Sequence, residues 1–182
     1  MHNSITAGAT LTELEIYENE KEDVLSFTVR DNGCGMSEEL LKKVIDPFTT
    51  HRTTRKVGLG IPLTKLAAES SGGSFEISSQ VGVGTVVKAV FGYSNIDRQP
   101  LGDMAETMHQ LITSFENVDF LYKHIINGKV FLVDTREIKK ILGDVSLKEN
   151  EISLWLLEYL RDGEKEIMCY LHKHLQVCGK EW

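Results

Sequence analysis

The sequence predicts an α+β protein: a two-layer α/β sandwich with helices on one face of a mixed sheet, followed by a small mixed α/β extension. Three observations carry this. Two apolar/polar alternating runs near the start read as a strand pair. Two amphipathic stretches with helical spacing follow them. A second strand pair comes after those, and the order strand, strand, helix, helix, strand, strand suits helices laid on one side of a sheet.

The elements follow in order. Leu11–Tyr17 and Val24–Arg30 alternate with period two and are joined by the charged loop Glu18–Asp23, which predicts a hairpin. The second strand runs into Asp31-Asn32-Gly33-Cys34-Gly35, a glycine turn. Ser37, with Glu38 and Glu39 behind it and Leu40, Leu41, Val44 and Ile45 in register, starts a short capped helix that Pro47 ends. Phe48–Val57 holds four threonines and no period, which predicts a mobile loop. A helix from Gly60 through Leu63, Leu66 and Ala67 stops at Gly72-Gly73. Ser74–Ser79 and Gly84–Phe91 are the next strands, around the turn Gln80–Val83.

Beyond Tyr93 the texture changes, and residues 94–182 form the extension. Asp103 can cap a helix presenting Met104, Met108, Leu111, Ile112 and Phe115. Val118–Tyr122 and Val130–Val133 read as short strands around Asn127-Gly128, and Asp134 can cap TREIKKIL. Ser146 opens a helix with Ile152, Trp155, Leu156, Tyr159 and Leu160 in register, either a core helix or a partner or dimer face. A last, separate helix covers Lys165–Leu175.

Composition excludes some functions. The chain has 182 residues, 41% of them apolar and 26% charged, enough for one good core. No apolar run approaches the roughly 18 residues of a membrane span, and a secretory leader is not evident, so a cytoplasmic location is expected. A net charge of -7 argues against nucleic acid or anionic lipid as a partner. Cys34, Cys169 and Cys178 have no metal or disulfide spacing, and His172 and His174 are two apart, a poor metal pair on a helix. Residues 47–68 contain no acid but carry His51, Arg52, Arg55, Lys56 and Lys65, an island that invites an anion.

Four segments carry chemistry. An Asp before a Gly-x-Gly turn can accept from an amine while the glycines admit a ligand to the backbone, and Asp31–Gly35 has that form. Gly58-Leu59-Gly60 ends the basic island and opens a helix, whose free amides suit a phosphate. Gly82-Val83-Gly84-Thr85 turns between the last two strands and brings a hydroxyl at Thr85. Asn3, on a helix ahead of Ala7, Gly8 and Ala9, can offer a carbonyl oxygen to magnesium.

Taken in order, Asn3, DNGCG at Asp31–Gly35, GLG at Gly58–Gly60 and GVGT at Gly82–Thr85 resemble the N box and glycine boxes of one superfamily. It contains histidine kinases, gyrase-type topoisomerases, heat-shock chaperones and mismatch-repair ATPases, and its fold is the Bergerat ATP-binding fold. PFTT at Pro47–Thr50 is similar to the phenylalanine-containing box of histidine kinases. The resemblance covers residues 1–93, the expected ATP-binding domain. It implies ATP and Mg2+ as cofactors, with Asp31 accepting from the adenine amine and Gly33 and Gly35 admitting the base. Ala7 and Met36 would line the site, Asn3 would hold magnesium, Gly58, Leu59 and Gly60 would flank the phosphate lid, Arg55 and Lys56 would be its charge partners, and Thr85 would support the base. Phe48 is expected to pack.

Two departures shape the expected activity. The family's general base lies four positions before the N-box asparagine, a place that would precede Met1, so binding is expected more than turnover and no catalytic residue is assigned. A phosphoacceptor helix ahead of Asn3 is likewise missing, so autophosphorylation in cis is not expected; His109 on MHQLITSF only faintly resembles an acceptor. The resemblance implies a regulatory ATP-binding protein that phosphorylates a partner in trans, with a homodimer as one assembly. An anti-sigma-factor-type Ser/Thr kinase or a non-catalytic ATP sensor are the alternatives. A mismatch-repair-type ATPase fits less well, because the second half is short. The whole-chain pattern around IDRQPLGDM is also similar to small ATP-binding proteins found with iron–sulfur hydrogenase subunits.

Overall fold

The computed structural model describes residues 1–45 and 59–178. Its sheet has six strands in the order β3-β4-β2-β1-β5-β6. Helix α1 (His2–Thr6) precedes β1 (Leu11–Asn19) and β2 (Val24–Asp31), which pair antiparallel. Then come α2 (Glu38–Ile45), α3 (Gly60–Ser70), β3 (Ser74–Gln80) and β4 (Gly84–Gly92), and β4 lies between β3 and β2, antiparallel to both. The boundaries of these four strands match the alternation read from sequence to within two residues.

Residues after 93 extend this same sheet. Helix α4 (Met104–Ser114) is capped by Asp103, whose side chain accepts from the Glu106 N–H at 2.9 Å. Strand β5 (Asp119–Ile126) then lies parallel to β1, with Leu14 beside Tyr122 and Ile16 beside His124, and β6 (Lys129–Asp134) pairs back antiparallel as the edge. Helix α5 (Thr135–Leu142) takes Asp134 as its cap, as expected. The chain ends in α6 (Asn150–Cys178), one helix of 29 residues, about 43 Å long.

That helix corrects the expected break after Leu160. One helix runs on through Gly163, where a Cβ would overlap the Phe131 ring of β6. The glycine lets the helix lie close to the sheet, at the usual cost of glycine in a helix.

Strand alternation sorts the two faces. On β1, Thr12, Leu14, Ile16 and Glu18 are buried, and on β5 so are Phe120, Tyr122, His124 and Ile126. Leu14, Ile16, Phe120 and Tyr122 of these join Leu25, Ala89, Phe91 and Val133 from the other strands, Ala68 of α3, Ala105, Met108 and Ile112 of α4, and Leu156 and Leu160 of α6 in one apolar cluster. All the helix contributions lie on one side of the sheet, so the architecture is the expected two-layer α+β sandwich on a mixed sheet. The opposite face carries Glu13, Glu15, Arg30 and Lys123, with cross-strand ion pairs Lys123–Glu15 at 2.9 Å and Arg30–Glu13 at 3.9 Å. Among the described residues no helix is long and apolar enough to cross a membrane.

Candidate functional site

Of the predicted site residues, Ala7, Asp31, Gly33, Gly35, Met36 and Thr85 come together at one end of the sheet. Thr12, Asp31, Thr85 and Ser79 are register partners on four neighbouring strands, β1, β2, β4 and β3, and form a polar row across the helix-bearing face. Asp31 is the last residue of β2 and is half-buried, and its Oδ1 accepts from the Gly33 N–H at 3.0 Å. Thr85 shares a hydrogen bond with Ser79 at 2.9 Å, and Ser79 also accepts from the Met36 N–H at 2.8 Å. Met36 is thereby tied to the row by a residue that the sequence reading did not single out.

Backbone contacts fix the glycine turn. The Cys34 N–H donates to the Ala7 carbonyl at 2.9 Å, and the Cys34 carbonyl accepts from Gly82 at 2.8 Å, so DNGCG is stitched to α1 on one side and to the GVGT turn on the other. Gly33 is buried, and a Cβ there would come within 2.9 Å of the Ala7 methyl and 3.1 Å of Asp31 Oδ1. Gly84 has φ 134 and packs on the Asp31 carbonyl, where a side chain would overlap it. Gly35, at φ 65, is pressed as closely on the Gln80 carbonyl. These glycines are there for approach of backbone to backbone as well as for any ligand.

Asn32, which sequence reading left without a role, is the peg of the turn. Its Oδ1 accepts from the N–H groups of Thr10 and Leu11, both at 2.9 Å, and its Nδ2 donates to the Thr10 hydroxyl at 2.8 Å. Helix α1 covers the same end: Ser4 is buried, and Met1 and Ile5 pack on the core. Burial holds the Met1 ammonium below its ordinary pKa, and the negative charge of Asp31 works in the opposite sense.

Asn3 lies on α1 one turn before Ala7 and is exposed; its carbonyl accepts from the Ala7 N–H at 2.9 Å, and its side chain is available to a ligand. Leu59 and Gly60 begin α3 and are exposed. The α3 N-terminus has no side-chain cap and no acid in its first turn, so its amides are open to an anion. No described contact joins Gly60 to Asp31. Arg55, Lys56 and Gly58, with the PFTT string and Phe48, lie outside the described residues. Among the described residues, no cluster of His, Cys, Asp and Glu could hold a metal on its own.

An open cleft of about 470 Å3 borders this sheet end, with Leu11, Glu13, Arg30, Ser78 and Val86 in its wall. By alternation those positions point away from the helices. The cleft also takes in Asp31, Ser79 and Thr85, so it shares the sheet end with the polar row but opens mainly on the other face. The glycine turns and α1 belong to the helix-bearing side, where the sequence expectation puts the ligand.

An aspartate and two apposed glycine turns thus share one end of the sheet. The model of the histidine kinase-, DNA gyrase B- and HSP90-like ATPase family matches residues 1–94 of the 182, and the chain belongs to that family. Similar proteins include sensor proteins and a probable sensor kinase. The sensor protein SrrB of Staphylococcus aureus (strain NCTC 8325 / PS 47) is 40% identical over 73 residues, 37% of this chain and 12% of that protein. A putative sensor protein of Shewanella frigidimarina is 34% identical over 72 residues, 39% of this chain and 11% of that protein. The probable C4-dicarboxylate sensor kinase of Bacillus subtilis is 30% identical over 78 residues, 43% of this chain and 15% of that protein. The chain thus spans only a small part of each. Among solved structures, the Aquifex aeolicus MutL ATPase domain complexed with ADP aligns with TM-score 0.45 and 16% identity, over 78% of this chain and 64% of that one. The first half of the chain is a histidine-kinase-like ATPase domain.

Proposed function

We propose that this chain is a regulatory ATP-binding protein whose nucleotide site is the helix-bearing sheet end at Asp31, and that it transfers phosphate to a protein partner in trans. The observation that carries the reading is the convergence of Asp31, Gly33, Ala7 and Thr85, residues up to 78 positions apart in sequence, at one sheet end. An ionised carboxylate there is an acceptor for an exocyclic amine, and the tight Gly33 corner leaves room for a flat base. Asn3 would hold Mg2+ through its amide oxygen, and Leu59 and Gly60, with Gly58, Arg55 and Lys56, would meet the phosphates. Bound Mg2+ would neutralise phosphate charge; the chain's own residues would bind, orient and exclude water.

Family membership and the sensor-kinase relatives support a kinase-type reading, with a cytoplasmic location and residues 1–93 as the functional ATP-binding unit. Two other readings use the same site: a Ser/Thr kinase of the anti-sigma-factor type, and an ATP sensor that changes a partner surface without chemistry. Incubation with γ-labelled ATP separates all three: label on a His or on a Ser/Thr of a captured partner, or binding alone. Saturable Mg-ATP binding is expected in every case, and its absence would reject the site.

A further inference from the structure

The polar row contains one residue without a role in the site as read so far. Thr12 is fully buried, at 0% exposure, and its Oγ1 has no hydrogen-bond partner. Buried hydroxyls are nearly always partnered, so an orphan one asks for an explanation. Its neighbour on β5 is the Phe120 side chain, which offers nothing polar, and its neighbour on β2 is Asp31. The Asn32 N–H donates to the Leu11 carbonyl at 3.3 Å, which marks Leu11–Asn32 as a hydrogen-bonded pair of the ladder. Thr12–Asp31, the next pair along, is then of the non-hydrogen-bonded kind, in which the two side chains sit closest, with Cα atoms about 4.5 Å apart. On the other flank of Asp31 the Thr85 hydroxyl is already engaged with Ser79.

We propose that Thr12 is a positioning and specificity residue of the nucleotide site: its hydroxyl turns to Asp31 when nucleotide binds and holds that carboxylate as an ionised, acceptor-only group. The proposal rests on the reading of Asp31 as the adenine-binding residue. A carboxylate that accepts from Thr12 and from the Gly33 N–H keeps its remaining lone pairs for a donor, which is the 6-amino group of adenine. A 6-oxo purine presents an acceptor at that place, and it meets an acceptor-only carboxylate with no proton between them. A hydrogen bond from Thr12 fixes the carboxylate in the orientation that meets a donor, from which an oxo group gains nothing. Thr12 therefore sharpens the choice of amino over oxo purine without touching the base. The charged groups around Asp31 are the Met1 ammonium on the α1 side and, from the far face of the sheet, Arg30 paired with Glu13.

The test compares Thr12→Val, a near-isosteric loss of the hydroxyl, with Thr12→Ser and with Asp31→Asn in the full chain. Calorimetry with Mg-ATP and Mg-GTP is read beside the melting temperature of the nucleotide-free protein. For Thr12→Val, ATP affinity should fall about five- to tenfold and the ATP-over-GTP ratio should narrow. Its melting temperature should hold or rise, because an unpartnered buried hydroxyl has been replaced by a methyl. Thr12→Ser should keep wild-type affinity and ratio. Unchanged affinity and ratio in Thr12→Val would overturn the proposal, and so would a marked fall in melting temperature, which would mean that the hydroxyl already has a structural partner. If Asp31→Asn loses ATP while Thr12→Val does not, Thr12 alone is misassigned; if neither variant affects ATP, the reading of Asp31 fails with it.

Discussion

Strand β1 carries a buried polar residue at each end of the same face, Thr12 near its start and Glu18 near its finish, and the two are treated in opposite ways. Glu18 accepts from His124 Nε2 at 2.9 Å, while His124 Nδ1 faces Glu164 of α6 at 2.8 Å and the Tyr122 hydroxyl donates to Glu164 at 2.6 Å. Every polar side chain in that cluster has a partner. Thr12 has none. A satisfied buried network ties elements together, here β1, β5 and α6, whereas an unsatisfied one at a strand end lies where a ligand can complete it. One end of the strand is thus built for stability, and the other is the end proposed for binding.

The contrast breaks most visibly at His124. Replacing it with alanine leaves the buried Glu18 carboxylate without its side-chain partner and Glu164 with only the Tyr122 hydroxyl, and should cost about 3–5 kcal/mol of stability, read from urea unfolding midpoints. ATP affinity of the folded variant should stay at the wild-type level. If affinity falls in step with stability, the two ends of β1 are coupled and the division fails.

Next in size is a pH effect on the same network. Burial lowers the His124 pKa, but hydrogen bonds to Glu164 and Glu18 and the charges of those carboxylates outweigh it and raise the pKa to about 9. The unfolded histidine titrates near 6.5. A raised folded pKa means that the stabilisation is fully present below about pH 6.5 and is lost as pH rises toward 9, on the order of 3 kcal/mol in all. Denaturation midpoints at pH 6 and 9.5 check this. A His124→Gln variant should lack the difference, and a wild type that gains stability across the window would contradict the assignment.

At the binding end, Asp31→Asn removes a charge-assisted hydrogen bond worth about 1.5–3 kcal/mol, roughly 10- to 150-fold in ATP affinity. Its unfolding midpoint without nucleotide should scarcely move. The smallest effect is that of Thr12→Val on stability, a gain of up to about 1 kcal/mol, measurable as a slightly later urea midpoint.

How far the sequence reveals this molecule differs by region. The strands and capped helices were legible because each is a local pattern: alternation in LTELEIY and VLSFTVR, and the caps at Asp103 and Asp134. The parallel seating of β5 against β1 was not, because no local pattern states which distant strand will lie alongside. The continuity of α6 past Leu160 was not legible either, since Gly163 inside it serves a close approach to Phe131 of another element. Asp31 and its glycines stood out because their residue types are unusual for a strand end. Glu18 was read as part of a charged loop, although continuing the parity of Thr12, Leu14 and Ile16 puts it on the buried face. The same parity on β5 reaches His124 through Phe120 and Tyr122. Thr12 and Ser79 left no signal beyond their register with Asp31 and Thr85, which only the sheet order supplies.

The central claim is that the Asp31 end of the sheet is an adenine-nucleotide site. Isothermal titration of the wild-type chain and Asp31→Asn with Mg-ATP tests it most directly. Saturable binding by the wild type, weakened at least tenfold in the variant, is the predicted result; a wild type that shows no saturable heat, or a variant that binds equally well, would contradict it.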